Sequence, residues 1–91
     1  MQVTFFGVRG SCPAPGPEFI KYGGNTACVH LCLDDGTDII LDAGTGIKNL
    51  GQKLIKQTND IHLLLTHNHW DHIQGFPFFA PIYQPKRNIF I

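Results

Sequence analysis

The stretch from residue 61 to residue 72 reads IHLLLTHNHWDH, a short apolar run followed almost at once by three histidines and an aspartate. The run at residues 61–65 is nearly all apolar, which predicts a buried central strand. Side chains two apart in an extended segment point to the same side, so His67 and His69 can approach one metal ion together. Asp71 and His72 follow where the chain has to turn, so they can hold a second ion nearby. The stretch therefore predicts a strand that ends in a metal site, with donors for a second ion close by.

The donor atoms in this cluster are those that zinc prefers, because imidazole nitrogen and carboxylate oxygen are its common ligands in proteins. Manganese and iron accept the same donors, and metal availability often decides among them. Two ions about 3.5–4 Å apart can clamp an attacking hydroxide and stabilise the leaving oxygen. We therefore expect two divalent ions as cofactors, zinc first. A single histidine inside a strand, such as His30 or His62, is typical of an ordinary core or surface residue.

The segments around this stretch predict further β-strands. Asp34-Asp35-Gly36 favours positive φ and therefore a hairpin turn. The strands are apolar, β-prone runs bounded by turn residues. Their expected ranges are residues 3–8, 26–33, 38–41, 61–65 and 88–91.

One long helix is expected between the third and fourth strands, which makes the predicted class α+β with a mostly antiparallel or mixed sheet. Ile47, Leu50 and Leu54 recur at helical spacing, with Thr45 as the expected cap, and the helix should end near residues 58–60. A short helix is expected to open near Pro77, because proline is favoured in the first turn of a helix.

Composition excludes several classes of protein. Of the 91 residues, 43% are hydrophobic and 15% charged, with a formal net charge of zero, unlike disordered chains or strongly basic nucleic-acid-binding modules. No apolar run approaches the roughly 20 residues of a membrane span, and the N-terminus lacks the pattern of a signal peptide. We expect a cytoplasmic protein with reduced thiols at Cys12, Cys28 and Cys32, and a solvated turn at residues 86–87.

The histidine cluster resembles the HxHxDH signature of the metallo-β-lactamase superfamily. Four other segments resemble blocks of its ribonuclease Z-like and phosphodiesterase-like branch, so the resemblance spans essentially the whole chain. They are residues 8–11 (VRGS), 22–26 (YGGNT), 41–46 (LDAGTG) and 72–77 (HIQGFP).

This resemblance implies an αββα sandwich, of which residues 1–91 would form the N-terminal half of a single domain. His67 and His69 would bind the first metal, and Asp71 and His72 the second. Asp71 would also be the catalytic residue that orients or deprotonates the attacking water. Asp42 would hold a ligand in orientation without touching the metal. The alternative for Asp42 is a turn or helix-capping residue.

The resemblance also implies ligands that this chain does not contain. A full site of this family needs a third histidine, a bridging aspartate and a final histidine, whereas no histidine follows His72 and no aspartate follows Asp71. We therefore expect a fragment or a truncated chain, inactive alone, whose site is completed by a C-terminal half or by a partner chain.

The expected function is hydrolysis of a phosphodiester or related ester, in a small-molecule or nucleotide-like substrate, by a metal-activated hydroxide. A thioester or lactam hydrolase is the alternative among enzymes. A non-catalytic metal-binding or assembly module, a homodimer for example, is the alternative outside them, because the strand at residues 88–91 offers an edge for pairing. Asn25 and Thr26 are expected to fix a turn, and Trp70 to pack beneath the loop.

Overall fold

The computed structural model describes residues 1–10, 12–19, 23–66 and 68–91, so that Ser11, Ile20, Lys21, Tyr22 and His67 lie outside the described residues. The described residues form a five-stranded mixed sheet and an eight-residue α-helix, and the domain is α+β as predicted. The strands are β1 (Gln2–Gly7), β2 (Cys28–Cys32), β3 (Asp38–Leu41), β4 (Ile61–Leu64) and β5 (Ile89–Phe90), and the helix is α1 (Ile47–Leu54). Single 3₁₀ turns span Pro17–Phe19, Trp70–His72, Phe76–Phe78 and Ala80–Tyr83.

The strands lie in the sheet in chain order. β1, β2 and β3 are antiparallel neighbours, whereas β3, β4 and β5 run parallel to one another. The predicted hairpin turn joins β2 to β3: Gly36 has a φ of 90°, and the Leu33 N–H donates to the Thr37 carbonyl over 2.9 Å. Leu41 pairs with Leu64, so the carboxyl ends of β3 and β4 meet at one edge of the sheet.

One face of the sheet packs against α1 and the 3₁₀ turns that follow Trp70–His72. Alternate residues of a strand point to the same face, and on this face Ile40, Ile61 and Leu63 are buried beneath Phe79. The helix contributes one apolar stripe, as its period requires. That stripe consists of Ile47, Leu50, Gly51 and Leu54.

The opposite face of the sheet is apolar and carries no second layer of described residues. Its side chains align across the strands because the register pairs them directly. Phe5 is 68% exposed and Leu64 53% exposed. One row consists of Val3, Leu31, Ile39, His62 and Phe90, and the next of Phe5, Val29, Leu41 and Leu64.

The predicted helix is shorter than expected and begins differently. It ends at Leu54, where the Arg87 guanidinium donates to the carbonyls of Leu54 and Gln57 over 2.8 and 2.7 Å. Arg87 therefore caps the helix. The expectation that the side chain of Arg87 is solvated in a turn at residues 86–87 is wrong, because its guanidinium is bound to these carbonyls. Thr45 does not cap α1 with its side chain, because its hydroxyl accepts the Thr26 backbone N–H over 2.8 Å.

The fourth strand is buried on one face only, which corrects the expectation of a fully buried strand. Ile61 and Leu63 are buried, whereas Leu64 and Leu65 are exposed. β4 pairs with β3 on one side and with β5 on the other, so it is an interior strand of the sheet, as predicted.

Among the described residues, none of the helices has the length and apolar character that crossing a bilayer requires.

Candidate metal centre

The site is built at the edge where the parallel strands β3 and β4 end. Asp42 directly follows β3 and Thr66 comes two residues after β4, so the register of the strands places them side by side. The Asp42 N–H donates to the Leu64 carbonyl over 2.8 Å, which continues the ladder by one residue. Asp42 then has a φ of 68°, a left-handed conformation that aspartate tolerates better than most residues. Such rare backbone conformations concentrate at functional sites.

The Asp42 carboxylate is almost fully buried and is held on both oxygens. Its Oδ1 accepts the Thr66 backbone N–H, and its Oδ2 accepts the Thr66 hydroxyl, each over 2.8 Å. The Oδ2 also lies 2.9 Å from Nδ1 of His72. Burial raises the pKa of Asp42, but hydrogen bonds from the Thr66 backbone, the His72 ring and the Thr66 hydroxyl lower it by more. The net pKa lies below the ordinary aspartate value, so this group is a carboxylate at neutral pH.

His72 is brought to Asp42 by a 3₁₀ turn, Trp70–His72, whose backbone is tied to the loop after β3. The His72 carbonyl accepts the Ala43 N–H over 2.7 Å. On the other side of the imidazole ring, Nε2 lies 3.5 Å from Oδ2 of Asp71. Both side chains are partly buried, at 18% and 16% exposure. The structure therefore aligns Asp42, His72 and Asp71 in one row of alternating carboxylate and imidazole groups.

Two glycines allow the loop after β3 to approach the turn this closely. A Cβ at Gly44 would lie 2.6 Å from the Asp71 carbonyl and closer still to the Thr26 hydroxyl. A Cβ at Gly75 would overlap the Gly44 carbonyl. Contacts under 3.0 Å to backbone atoms cannot be relieved by turning a side chain. Any larger residue would therefore push Asp71 away from its present position.

Thr26 and Thr45 fasten the same loop to β2. Each hydroxyl accepts the backbone N–H of the other residue over 2.8 Å. The Gln74 amide donates to the Thr26 hydroxyl over 3.3 Å, which joins the segment after His72 to the same pair. Thr26 therefore holds together segments of the chain that lie 19 and 48 residues away from it.

The predicted site residues are brought together in part. Asp42, Asp71 and His72 adjoin one another, whereas His69 is exposed one residue before the turn and His67 lies outside the described residues. Within the described ranges, no group of three or more histidine, cysteine, aspartate or glutamate side chains is arranged to hold a metal. The roles of His67, His69, Asp71 and His72 as ligands accordingly stay predictions.

The two histidines that lie inside strands each contact another side chain of the sheet. His30 is buried with its Nε2 2.7 Å from Oδ1 of Asp38, which links β2 to β3 under Phe6. His62 stacks on Phe90, with ring centroids 5.0 Å apart. Neither adjoins the row at the edge of β3 and β4.

Three features of the site were not predicted from sequence. Thr66 is the main partner of the Asp42 carboxylate, and its only sequence signal is its place between the strand and the first histidine. Trp70 does not pack beneath the loop, because its side chain is 68% exposed. An apolar cavity of about 350 Å³ adjoins the site, lined by residues that include Ala43 and Ile73, the chain neighbours of Asp42 and His72.

Comparisons of the chain with models of known protein families, with curated proteins and with solved structures found no match.

Proposed function

We propose that this chain supplies one side of a two-metal centre in a metal-dependent hydrolase that acts on a phosphodiester or related ester. The observation that carries the proposal is the row Asp42, His72 and Asp71. A histidine that binds a metal commonly gives its other ring N–H to a carboxylate, which fixes the tautomer and the orientation of the ring. Oδ2 of Asp42 lies 2.9 Å from Nδ1 of His72, which places a carboxylate beside that ring nitrogen.

The spacing of the donor atoms supports the same proposal. Two ligands of a tetrahedral zinc ion, each about 2.0–2.1 Å from the metal, lie roughly 3.4 Å apart. The Nε2 of His72 and the Oδ2 of Asp71 are 3.5 Å apart, which fits two ligands of one ion. His67 and His69 would hold the first ion of the pair, and Asp71 and His72 the second. The remaining ligands would come from a C-terminal half or a partner chain.

Each residue has a definite task in this proposal. When bound, the divalent ions lower the pKa of water to about 7 and stabilise the charge of the leaving oxygen. Asp42 keeps the proton of His72 at Nδ1, so the lone pair of the neutral ring lies on Nε2. Asp71 orients the attacking water and accepts its proton. Thr66 keeps Asp42 ionised by donating two hydrogen bonds to it.

The uncovered sheet face supports the finer fold proposal. Two rows of mainly apolar side chains cross this face, one through all five strands and one through β1 to β4. A sheet with such a face is stable when another layer covers it. A second sheet on this face would complete an αββα sandwich of the metallo-β-lactamase type. The same face favours a second candidate function, a non-catalytic assembly module that binds another chain through it.

The test separates metal binding from hydrolysis. The zinc affinity of the 91-residue chain is measured by competition with a chromophoric chelator. Hydrolysis of bis-p-nitrophenyl phosphate is measured, with zinc or manganese, on the protein expressed from its complete gene. His72→Ala should weaken zinc binding and His69→Ala should abolish hydrolysis. His62→Ala removes a histidine from the open sheet face and should change neither. Absence of hydrolysis in the wild type, or wild-type activity in His69→Ala, would exclude the enzyme and favour the assembly module.

A further inference from the structure

Trp70 stands in the middle of the histidine cluster with most of its ring in solvent. It is the single tryptophan of the chain, and its side chain is 68% exposed. The two residues that follow it in the same 3₁₀ turn, Asp71 and His72, are turned inward and are 16% and 18% exposed. The turn therefore presents the indole outside the inward-facing Asp71 and His72 side chains and within one or two residues of them.

The backbone beneath the indole is firmly held. The Trp70 carbonyl accepts the N–H groups of Ile73 and Gln74 over 3.1 and 2.8 Å. The His72 N–H donates to the His69 carbonyl over 2.9 Å, and the Ala43 N–H holds the far end of the turn. The ring can therefore move mainly by rotation about its own two side-chain torsions, so little conformational entropy is lost when a ligand covers it.

The exposed indole stands apart from the aromatic ring pairs of the described residues. The aromatic ring pairs among these residues are Phe6 with His30 and His62 with Phe90, and Trp70 belongs to neither. A tryptophan side chain carries roughly 150–250 Å² of surface, so most of that area is left in water. An exposed aromatic ring can act as a stacking platform for a planar group, since every nucleobase or aryl ring has a π-face.

We propose that Trp70 stacks on a planar aromatic ring of the substrate, an aryl group or a nucleobase, while the phosphate of the same substrate lies at Asp71 and His72. This inference rests on the proposed function and adds the substrate class: phosphoesters with an aromatic ring next to the phosphate-bearing group. Selection by stacking is tolerant of ring identity but requires a ring. A phosphoester without a ring would bind more weakly, because it leaves the indole in water.

The intrinsic fluorescence of the single tryptophan reports on the platform directly. The full chain is titrated in the presence of zinc with adenosine monophosphate, with phenyl phosphate and with ribose 5-phosphate, which carries the phosphate but no ring. The first two should change the emission of Trp70 saturably, and ribose 5-phosphate should not. A response to adenosine monophosphate but not to phenyl phosphate would assign the platform to nucleobases, and the reverse to aryl groups.

Variants measured by titration calorimetry complete the test. Trp70→Ala should lower the affinity for adenosine monophosphate by roughly 5- to 150-fold and leave the affinity for ribose 5-phosphate unchanged. Trp70→Phe should keep most of the affinity for adenosine monophosphate. Phe78→Ala removes another exposed aromatic side chain and should have no effect. Equal affinities for adenosine monophosphate and ribose 5-phosphate in the wild type, or unchanged affinity in Trp70→Ala, would overturn the inference.

The inference and the proposed function can fail separately. Ring-dependent binding at Trp70 in a protein that hydrolyses no ester would overturn the hydrolase and leave the stacking platform standing. Hydrolysis that proceeds equally well with and without a ring in the substrate would overturn the platform alone.

Discussion

Substitution of Asp42 by asparagine should weaken zinc binding more than any other change that leaves the predicted ligands in place. Asparagine tolerates the left-handed φ of 68° almost as well as aspartate, so the backbone should keep its course. The amide oxygen can still accept the Thr66 N–H, and the Thr66 hydroxyl can rotate to accept from the amide. The amide N–H then faces His72 Nδ1, so the neutral ring must accept at Nδ1 and carry its proton on Nε2, the nitrogen that should bind the metal.

The size of the effect on metal binding follows from that one lost acceptor. The metal-free chain can satisfy the amide N–H with the other tautomer of His72, so its Tm should change little. Loss of the group that orients a metal-binding histidine typically costs about 10–100-fold in metal affinity. Thermal unfolding of the metal-free chain measures the first quantity, and competition with a chromophoric chelator measures the second.

A matched control separates the site from general effects of charge. Asp35 is an exposed aspartate of the hairpin turn, and asparagine there can also accept the Thr37 N–H that Asp35 accepts over 2.9 Å. Asp35→Asn should retain both the Tm and the zinc affinity. If Asp42→Asn is folded and binds zinc as the wild type does, Asp42 is a turn residue and the role assigned to it is wrong.

Three further predictions concern the framework around the site. Arg87→Met should lower the free energy of unfolding by about 1–3 kcal/mol in chemical denaturation, because the carbonyls of Leu54, the last residue of α1, and of Gln57 lose their charged donor, whereas Lys86→Met should be neutral. Phe79→Ala should cost about 3–5 kcal/mol in the same experiment, since Phe79 is fully buried in the core, and a loss below 1 kcal/mol would contradict that packing. Burial and then the Asp42 charge raise the pKa of Cys28 to about 12, so at pH 8 a thiol reagent should modify exposed Cys12 and leave Cys28 unmodified in the folded chain, and equal labelling would refute this.

Local sequence patterns predicted the parts of the fold whose causes lie close together in the chain. The third strand has the predicted bounds because the turn residues at 34–36 mark its start and the Asp-Ala-Gly segment marks its end. The turn at Pro77 was also predicted, since proline pre-sets the backbone of a first helical turn. The placement of Asp71 and His72 in a turn shortly after β4 followed in the same way.

The errors arose where the deciding partner is distant in sequence. The end of α1 depends on Arg87, which lies 33 residues after Leu54. The Thr45 hydroxyl bonds Thr26, 19 residues earlier, so a residue that looks like a cap has another partner. Apolar residues recur every two positions in a strand and every 3.6 positions in a helix. This spacing contains no information about such distant contacts, which form only once the sheet has assembled.

Asp42 is an intermediate case. Its place after a strand and before Gly44 suggested either a turn residue or a residue that orients a ligand, and sequence could not separate the two. The structure places its carboxylate 2.9 Å from His72 and gives it a left-handed backbone. The residue therefore combines the turn conformation with the contact to His72.

Anomalous X-ray diffraction at the zinc edge, on crystals of the zinc-loaded protein, tests the central claim most directly. The account predicts an anomalous peak about 2.0–2.2 Å from Nε2 of His72 and from an oxygen of Asp71, with Asp42 still bonded to Nδ1. A peak that lies at the cysteines or at His30, or a map without a peak near His72, would contradict it.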